Sequence, residues 1–206
     1  MKLDSSDYRA YEEAVQQFDP DMVIHLAALL SGSSERDIVR STKVNILTLS
    51  NSFDLCHRRN IQIFVPSSIA VFNFPTGRNR ENIGEDVITS QSSFYGISKQ
   101  FMEQLGDHLA KKGLDFRSLR YPGVLSPIMP EGGTTDFAIQ MLYAFVRGES
   151  YESFVDLDVG LPFVYIDDLI LQTLHYLECD RSLLKRNVYN FGNFAFSGKK
   201  LFEYLN

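Results

Sequence analysis

The 206-residue sequence has no long apolar run, no excess of basic residues and only two cysteines. Its longest apolar stretches, such as residues 23–30, are far shorter than the roughly 20 residues of a membrane-spanning helix, so we expect no membrane partner. Lysine and arginine total 20 against 26 aspartates and glutamates. The net charge of −6 argues against a nucleic-acid partner, because phosphate-backbone binding needs a concentrated basic surface.

The cysteines and the first residues bear on the cellular compartment. Cys56 and Cys179 both fall in helical patterns, which indicates a reducing environment without disulfides. The first residues contain neither an apolar signal core nor an arginine-rich presequence. These features predict a soluble intracellular protein, located in the cytoplasm, or in mitochondria if a presequence lies upstream.

What the chain does contain is an alternation of helical and strand-like patterns. Helices are predicted near residues 8–18, 35–58, 94–112, 137–147 and 167–178, and strands near 22–26, 61–65, 116–121, 151–155, 163–165 and 188–191. Ser197 is a candidate N-cap for a last helix. Strands that alternate with helices of about ten or more residues favour a mostly parallel sheet with helices on both faces.

Tyr95 and Lys99 are four residues apart on a predicted helix, so their side chains lie on one face, about one turn apart. A tyrosine hydroxyl has an ordinary pKa of about 10 and is a poor base at neutral pH unless a nearby cation favours the phenolate. Lys99 can supply that cation. The same spacing also arises by chance, so the pair needs support from its surroundings.

Ser67 and Ser68 give some of that support, because they follow a predicted strand at its carboxyl end, where sheet enzymes of this class place ligands. A hydroxyl there can hydrogen-bond a substrate oxygen. The alternative is that both serines only satisfy backbone groups at the strand exit. The polar stretch 73–93 is too long for an ordinary connection, and we interpret it as an active-site loop.

Five short motifs stand in a fixed order along the chain. They are His25-Leu26-Ala27-Ala28, Asn45, Ser67-Ser68, Tyr95-Gly96-Ile97-Ser98-Lys99 and Arg120-Tyr121-Pro122-Gly123. This ordered set resembles the extended short-chain dehydrogenase/reductase family, the NAD-dependent epimerases and dehydratases. Similarity to its epimerase-type L-threonine 3-dehydrogenases rests on Ala28-Leu29-Leu30-Ser31, Leu119-Arg120-Tyr121-Pro122-Gly123 and Gly132-Gly133-Thr134-Thr135-Asp136. The resemblance extends over essentially the whole chain.

The resemblance implies roles for the matched positions. Tyr95 would be the general base, Lys99 would lower its pKa and contact the nicotinamide ribose, and Ser68 would polarise the reacting oxygen. The implied NAD-binding residues are Asp4, Ala27, Ala28, Asn45, Tyr95, Lys99 and Pro122, with Asp4 near the adenine. The implied substrate-binding residues are Ser31, Ser68, Arg120, Thr134 and Thr135.

For several of these residues a structural role is the alternative. The loop hydroxyls of the substrate set can satisfy local backbone groups, and Arg120 can fix a strand end instead of binding the substrate carboxylate. Asp167 and Asp168 resemble a metal-ligand pair, yet they stand where the first turn of a helix favours carboxylates. The four histidines show no ligand spacing. We therefore expect no metal, and we interpret His25 as a core residue.

Dinucleotide enzymes of this fold open with a strand, a glycine-rich turn and a helix whose N-terminus receives the pyrophosphate. None of the 13 glycines forms that turn, so the chain looks N-terminally truncated. We expect an α/β fold, namely a partial Rossmann-type doubly wound parallel sheet that lacks its first strands, with a small C-terminal substrate-binding lobe. The expected boundaries are an incomplete NAD-binding domain at 1–125 and the lobe at 126–206, with a returning Rossmann segment near 161–178.

The resemblance implies NAD-dependent oxidation of the small molecule L-threonine to 2-amino-3-oxobutanoate, and we expect a homodimer. We expect the missing glycine-rich segment to weaken NAD binding and to impair this activity. Two alternatives stay open. One is a nucleotide-sugar epimerase or dehydratase, which would use the same serine, tyrosine and lysine. The other is a non-catalytic remnant of the family, so the sequence leaves open whether this chain is an enzyme.

Overall fold

The computed structural model describes residues 2–72, 83–87, 90–129 and 132–205. The chain forms two compact units, one of Met1–Arg120 with Cys179–Asn190 and one of Tyr121–Glu178 with Phe191–Asn206. The expected functional domains at 1–125 and 126–206, with a returning segment near 161–178, remain a prediction. Of the predicted active-site loop, residues 73–82 and 88–89 lie outside the described residues.

Helices and strands alternate along most of the chain, as the sequence pattern predicts. The α-helices are α1 (Tyr8–Phe18), α2 (Ser31–Arg36), α3 (Ile38–Ser41), α4 (Thr48–Arg59), α5 (Phe94–Ala110), α6 (Phe137–Arg147), α7 (Ile166–Glu178) and α8 (Gly198–Leu205). A π-helix spans Thr42–Leu47, and 3-10 turns lie at Ile69–Val71 and Arg181–Leu183. The strands are β1 (Met22–Ile24), β2 (Gln62–Phe64), β3 (Ser67–Ser68), β4 (Phe116–Tyr121), β5 (Gly123–Leu125), β6 (Gly160–Tyr165), β7 (Val188–Asn190) and β8 (Phe194–Ser197).

The first unit is built on a five-stranded sheet in which β1 pairs with β2, and β2, β3 and β7 pair with β4. The pairings of β1 with β2, β2 with β4 and β4 with β7 are parallel. In the register, Ile63 of β2 lies opposite both Val23 and Phe116. This sheet with its helices is the Rossmann-type α/β fold that the sequence predicts.

Helix α5 packs closely on this sheet. Phe53 of α4 and Phe116 of β4 are fully buried, and their rings meet edge to face with centroids 5.3 Å apart. A Cβ atom added to Gly106 of α5 would lie 2.3 Å from the Phe116 ring, so only glycine lets the helix approach the strand this closely. The helix that carries Tyr95 and Lys99 is therefore held at a fixed depth over the sheet.

The single helix predicted near residues 35–58 is wrong, because this segment contains two short helices, a π-helix and α4. The break occurs at Asp37, whose backbone is not helical and whose carboxylate accepts a hydrogen bond from the Arg40 N–H group. Aspartate competes with the helix in this way because its short side chain bonds nearby backbone donors. Asn45 lies within the π-helix that follows.

The second unit contains a sheet of β5, β6 and β8, in which β6 runs parallel to β5 and antiparallel to β8. Its core contains Phe137 and Phe163, whose rings are 6.0 Å apart, and Phe163 stacks on Phe196 at 4.2 Å. The Ser197 hydroxyl accepts a hydrogen bond from the Lys200 N–H group, so the predicted cap of the last helix is confirmed.

The strand predicted near residues 151–155 is wrong. There the Ser153 hydroxyl hydrogen-bonds both the N–H group and the carbonyl of Val155, so these backbone groups are not available to a sheet.

In the described part of the chain, no helix combines the length and apolarity that a bilayer crossing requires.

Candidate active site

The first turn of α5 brings Tyr95 close to the exit of β3. The hydroxyl of Ser93 caps the helix by accepting from the Gly96 N–H group at 3.1 Å. The Glu35 carboxylate of α2 accepts from the Phe94 N–H group at 2.6 Å. A Cβ atom on Gly96 would lie 2.7 Å from the carbonyl oxygen of Ala70, so glycine is required where the helix meets the turn after β3.

The side chains of Ser68 and Tyr95 interact. The Ser68 hydroxyl oxygen accepts from the Ala70 N–H group at 3.1 Å, which leaves its own proton free to be donated. A hydrogen bond links the Ser68 and Tyr95 side chains. Burial raises the pKa of Tyr95 above its ordinary value, and the bond to Ser68 acts in the opposite direction. The structure therefore brings the predicted polarising residue and the predicted base together.

Lys99 is a buried cation beside Tyr95. Its Nζ lies 5.6 Å from the centroid of the Tyr95 ring and donates a hydrogen bond to the Pro66 carbonyl at 2.6 Å. Burial lowers the pKa of Lys99 to about 8, and the nearby carboxylate of Glu103 opposes this lowering. The ammonium is therefore still mostly protonated at neutral pH, where its charge favours the phenolate form of Tyr95.

His25 lies in the core, as the sequence predicts. Its Nδ1 is 2.9 Å from the Ser52 hydroxyl, and its Nε2 is 3.4 Å from the Thr48 hydroxyl. Burial, with a smaller contribution from the charge of Lys99, lowers the pKa of His25 to about 4. The ring is therefore neutral at physiological pH.

Asn45 holds the loop that carries several predicted site residues. Its Oδ1 accepts from the Leu29 N–H group at 2.7 Å, and its Nδ2 donates to the Leu29 carbonyl at 3.1 Å and to the Ser34 hydroxyl at 3.3 Å. Ala27 in this loop is exposed, while Ala28 and Ser31 are half-buried. Asn45 thus fixes the loop backbone from the π-helix, and its direct contact with a cofactor remains a prediction.

Arg120 belongs to a neighbouring buried network. Its Nε and Nη2 donate to the two carboxylate oxygens of Glu103 at 2.9 and 2.7 Å. Its Nη1 donates to the Asn190 side chain and to the Glu85 carbonyl. These contacts are those of a residue that fixes the strand end, the structural alternative raised by the sequence. Sequence reasoning missed Glu103, although it stands four residues after Lys99 on the same helix face.

Asp4 is exposed at the start of the chain. It accepts hydrogen bonds from the Ser6 hydroxyl at 2.7 Å and from the Ser6 N–H group at 3.0 Å, and it pairs with Lys43 at 3.3 Å. These hydrogen bonds, chiefly those from Ser6, lower the pKa of Asp4 to about 2. The hydrogen bonds and the ion pair of Asp4 involve Ser6 and Lys43, and its contact with an adenine remains a prediction.

The remaining predicted site residues, Pro122, Thr134 and Thr135, lie in the second unit. The Gly133 N–H group donates to the Asp136 carboxylate at 2.6 Å, and a Cβ atom on Gly133 would lie 2.5 Å from that carboxylate. Pro122 and Asp136 are buried, Thr135 is half-buried and Thr134 is exposed. The Gly-Gly-Thr-Thr-Asp segment is therefore a tight turn closed by its own aspartate, which the sequence reasoning did not single out.

Asp167 and Asp168 occupy the first turn of α7, where carboxylates complement the helix dipole. Within the described ranges, no group of three histidine, cysteine, aspartate or glutamate side chains is arranged to hold a metal ion. Asp167 and Asp168 therefore lie at the start of a helix, which is the structural alternative that the sequence raised for them.

The first unit also contains a cleft of about 420 Å³. Its lining includes both members of the Glu103–Arg120 pair, together with Asp86, Asp107 and Arg186. Arg186 pairs with Asp86 through two hydrogen bonds and Arg120 pairs with Glu103, so these four lining charges are neutralised in pairs. The lining contains neither Ser68, Tyr95 nor Lys99.

The chain is similar in sequence to a known protein family and to one of its relatives. The model of the NAD dependent epimerase/dehydratase family matches residues 1–192. The mitochondrial L-threonine 3-dehydrogenase of Bos taurus is 34% identical over 200 residues, which cover 96% of this chain and 53% of that protein.

Two solved structures are also similar. L-threonine 3-dehydrogenase from Trypanosoma brucei has a TM-score of 0.92 at 33% identity, covering 97% of this chain and 62% of that one. A monomeric L-threonine 3-dehydrogenase from a metagenome has a TM-score of 0.91 at 34% identity. The match covers 98% of this chain and 66% of that one.

This chain therefore spans about half to two thirds of the length of these relatives. The family model nevertheless matches nearly all of its own residues, in agreement with the parallel sheet and with the order of the motifs. The chain belongs to the NAD dependent epimerase/dehydratase family.

Proposed function

We propose that this protein takes part in the NAD-dependent oxidation of the 3-hydroxyl of L-threonine to 2-amino-3-oxobutanoate. The observation that carries the proposal is the arrangement of Ser68, Tyr95 and Lys99, in which a tyrosine hydroxyl bonds a serine and lies beside a buried cation. Threonine as the substrate is supported by the similarity to the L-threonine 3-dehydrogenases of Bos taurus and Trypanosoma brucei.

The residues at this site fit the nicotinamide end of NAD. Lys99 offers an ammonium group to a ribose hydroxyl, and the small side chains of the exposed Ala27 and the half-buried Ala28 leave room for a flat ring. When bound, NAD supplies the hydride acceptor. The sequence contains no recognisable glycine-rich pyrophosphate motif, so the residues identified here account for the nicotinamide end only.

In the proposed reaction, the Tyr95 phenolate oxygen takes the proton of the substrate hydroxyl. Burial raises the pKa of Tyr95, and the hydrogen bond from Ser68 opposes this rise. The positive charge of Lys99 favours the phenolate in the same direction as Ser68. The Ser68 proton is donated toward the reacting oxygen, because the Ala70 N–H group already occupies an acceptor position on Ser68. In this proposal Tyr95 accepts the proton, Lys99 favours the form of Tyr95 that can accept it, and Ser68 donates a hydrogen bond to the reacting oxygen.

The proposal is tested with the purified 206-residue chain. Because no glycine-rich pyrophosphate turn is recognised, we expect weak but saturable NADH binding in a fluorescence titration. L-threonine should drive slow NADH formation that is lost in Tyr95→Phe. Tyr143→Phe, a tyrosine of the second unit whose hydroxyl bonds the Pro127 carbonyl, is the matched control and should keep the activity. Conversion of UDP-glucose without turnover of threonine would decide for a nucleotide-sugar enzyme. Absence of NADH binding would decide for a non-catalytic member of the family.

We also propose that the protein forms a homodimer. Exposed apolar side chains lie on α3, the π-helix and α5, which pack on one another, and a surface patch of this kind is typical of an interface. These side chains are Ile38, Val39, Leu47, Ile97 and Phe101. Light scattering should give the mass of a dimer, and Val39→Glu should shift it toward that of a monomer; a monomeric wild-type chain would refute this proposal.

A further inference from the structure

Glu103 connects three elements around the candidate active site. It lies one turn beyond Lys99 on α5 and is 8% exposed. Its Oε1 accepts hydrogen bonds from the Ser67 hydroxyl at 2.5 Å and from Arg120 Nε at 2.9 Å, and its Oε2 accepts from Arg120 Nη2 at 2.7 Å. One carboxylate therefore links helix α5 to strand β3 and to strand β4.

This buried ion pair is fully satisfied. The side chains of Glu103 and Arg120 are each about 10% exposed, and Arg120 uses its remaining Nη1 on Asn190 and on the Glu85 carbonyl. Burying such a pair stabilises a fold little compared with well-packed apolar residues, because desolvation offsets the attraction between the charges. We therefore attribute to the Glu103–Arg120 pair a role in fixing the positions of nearby residues, and not a large contribution to the stability of the fold.

The geometry that is fixed is the segment leading into Ser68. Lys99 donates to the Pro66 carbonyl, and one helical turn later Glu103 accepts from the hydroxyl of Ser67. Helix α5 thus attaches to two successive residues of this segment, and the next residue is the hydrogen-bond partner of Tyr95. Two successive attachments leave Ser68 little freedom to move relative to Tyr95.

The charge of Glu103 also acts on Lys99. From α5, Lys99 faces Tyr95 and Glu103, and from the segment after β1 it faces His25, which is neutral at physiological pH. Arg120 stands behind Glu103 on β4. Without the Glu103 charge, the two cations would be buried near each other with no intervening acid, which disfavours the protonated lysine.

We propose that Glu103 is a positioning residue, which through Ser67 and Arg120 holds Ser68 and Lys99 in place relative to Tyr95. The inference rests on the proposed function, because it takes these three side chains as the reacting groups. The contact network is independent of which substrate is bound.

Three variants test it. Glu103→Gln keeps the shape but removes the charge. Ser67→Ala removes one hydrogen bond and leaves no buried charge unpaired, so it serves if the first variant does not fold. Asp107→Asn is the matched control, because Asp107 lies one turn further along α5 and accepts from Asn187.

The first readout is a carbon-13 NMR titration of lysine side chains, with the Lys99 signal assigned by its loss in Lys99→Arg. We expect Lys99 to titrate at lower pH in Glu103→Gln and at the wild-type pH in Asp107→Asn. The second readout is steady-state kinetics, in which Ser67→Ala should lower kcat roughly tenfold, as for one lost hydrogen bond, with KM for threonine little changed.

An unchanged Lys99 titration in Glu103→Gln together with a wild-type kcat in Ser67→Ala would overturn the positioning role. The titration needs neither cofactor nor substrate. A wild-type chain without threonine activity would therefore refute the proposed function, while the lysine titration still decides whether Glu103 acts on Lys99.

Discussion

Replacing Lys99 by methionine removes the buried cation beside Tyr95 and keeps an unbranched side chain of similar length. The lysine Nζ lies 5.6 Å from the centroid of the Tyr95 ring. If the ring centroid stands for the position of the phenolate charge, two unit charges at that distance attract by roughly 3 kcal/mol at an effective dielectric constant of about 20. This is about two powers of ten in the fraction of phenolate, and hence in the rate of a step that requires it.

The assay is threonine-dependent NADH formation measured over a range of pH. At neutral pH we expect kcat of Lys99→Met to fall roughly a hundredfold. Because the phenolate loses its cation, the variant needs a higher pH to deprotonate Tyr95, so the rising limb of its profile moves to higher pH. Lys99→Arg keeps the charge and should lose less activity.

A matched control is available in the second unit. Lys200 lies 5.9 Å from the ring of Tyr204, a geometry similar to that of the catalytic pair, but Tyr204 is 77% exposed. Lys200→Met should leave the profile unchanged, since water screens an exposed charge. If Lys99→Met kept activity within about threefold of wild type, or kept an unshifted pH profile, the electrostatic reasoning would be refuted.

Three further predictions concern the structure that supports the site. In Gly106→Ala the new methyl group overlaps the Phe116 ring, and we expect urea denaturation to show a loss of about 1–3 kcal/mol in the free energy of unfolding. Asn45→Ala removes both bonds to Leu29, which should cost about 1–3 kcal/mol and speed hydrogen exchange of the Leu29 amide. Since the pKa of His25 is about 4, below its unfolded value of about 6.5, stability should fall by up to roughly 3 kcal/mol as pH drops from about 6.5 to 4.

Each of these predictions has a control. Gly84→Ala meets no atom within 4 Å and should be neutral, so equal effects at both glycines would contradict the packing argument. Hydrogen exchange at the Leu114 amide, which bonds the Leu109 carbonyl, should not respond to Asn45→Ala. His25→Asn should flatten the acid decline in stability, and a variant with the wild-type decline would mean that other groups cause it.

The sequence predicts the long regular elements well. Helix α5 and strand β4 were both expected within two residues of their observed ends, because their apolar periodicity is strong and their boundaries carry cap or turn residues. The alternation of helices and strands predicts the parallel sheet. The family resemblance predicts that Ser68, Tyr95 and Lys99 lie close together.

What the sequence could not predict depends on local competition or on distant contacts. The helix break at Asp37 and the lost strand at Ser153 both result from a short polar side chain that takes a backbone partner from regular structure. The network of Ser67, Glu103 and Arg120 joins residues that are 36 and 17 positions apart, and only the folded sheet brings them together.

The π-helix at Thr42–Leu47 has a consequence for insertions and deletions. A π-helical turn contains one residue more than an α-helical turn, so it rotates everything after it by about 100° around the helix axis. Asn45 can therefore face the Leu29 loop while Phe53, eight positions later, faces the sheet. Deleting one residue here would restore a regular helix and turn Phe53 away from Phe116, so this short segment sets the angular phase between loop and core.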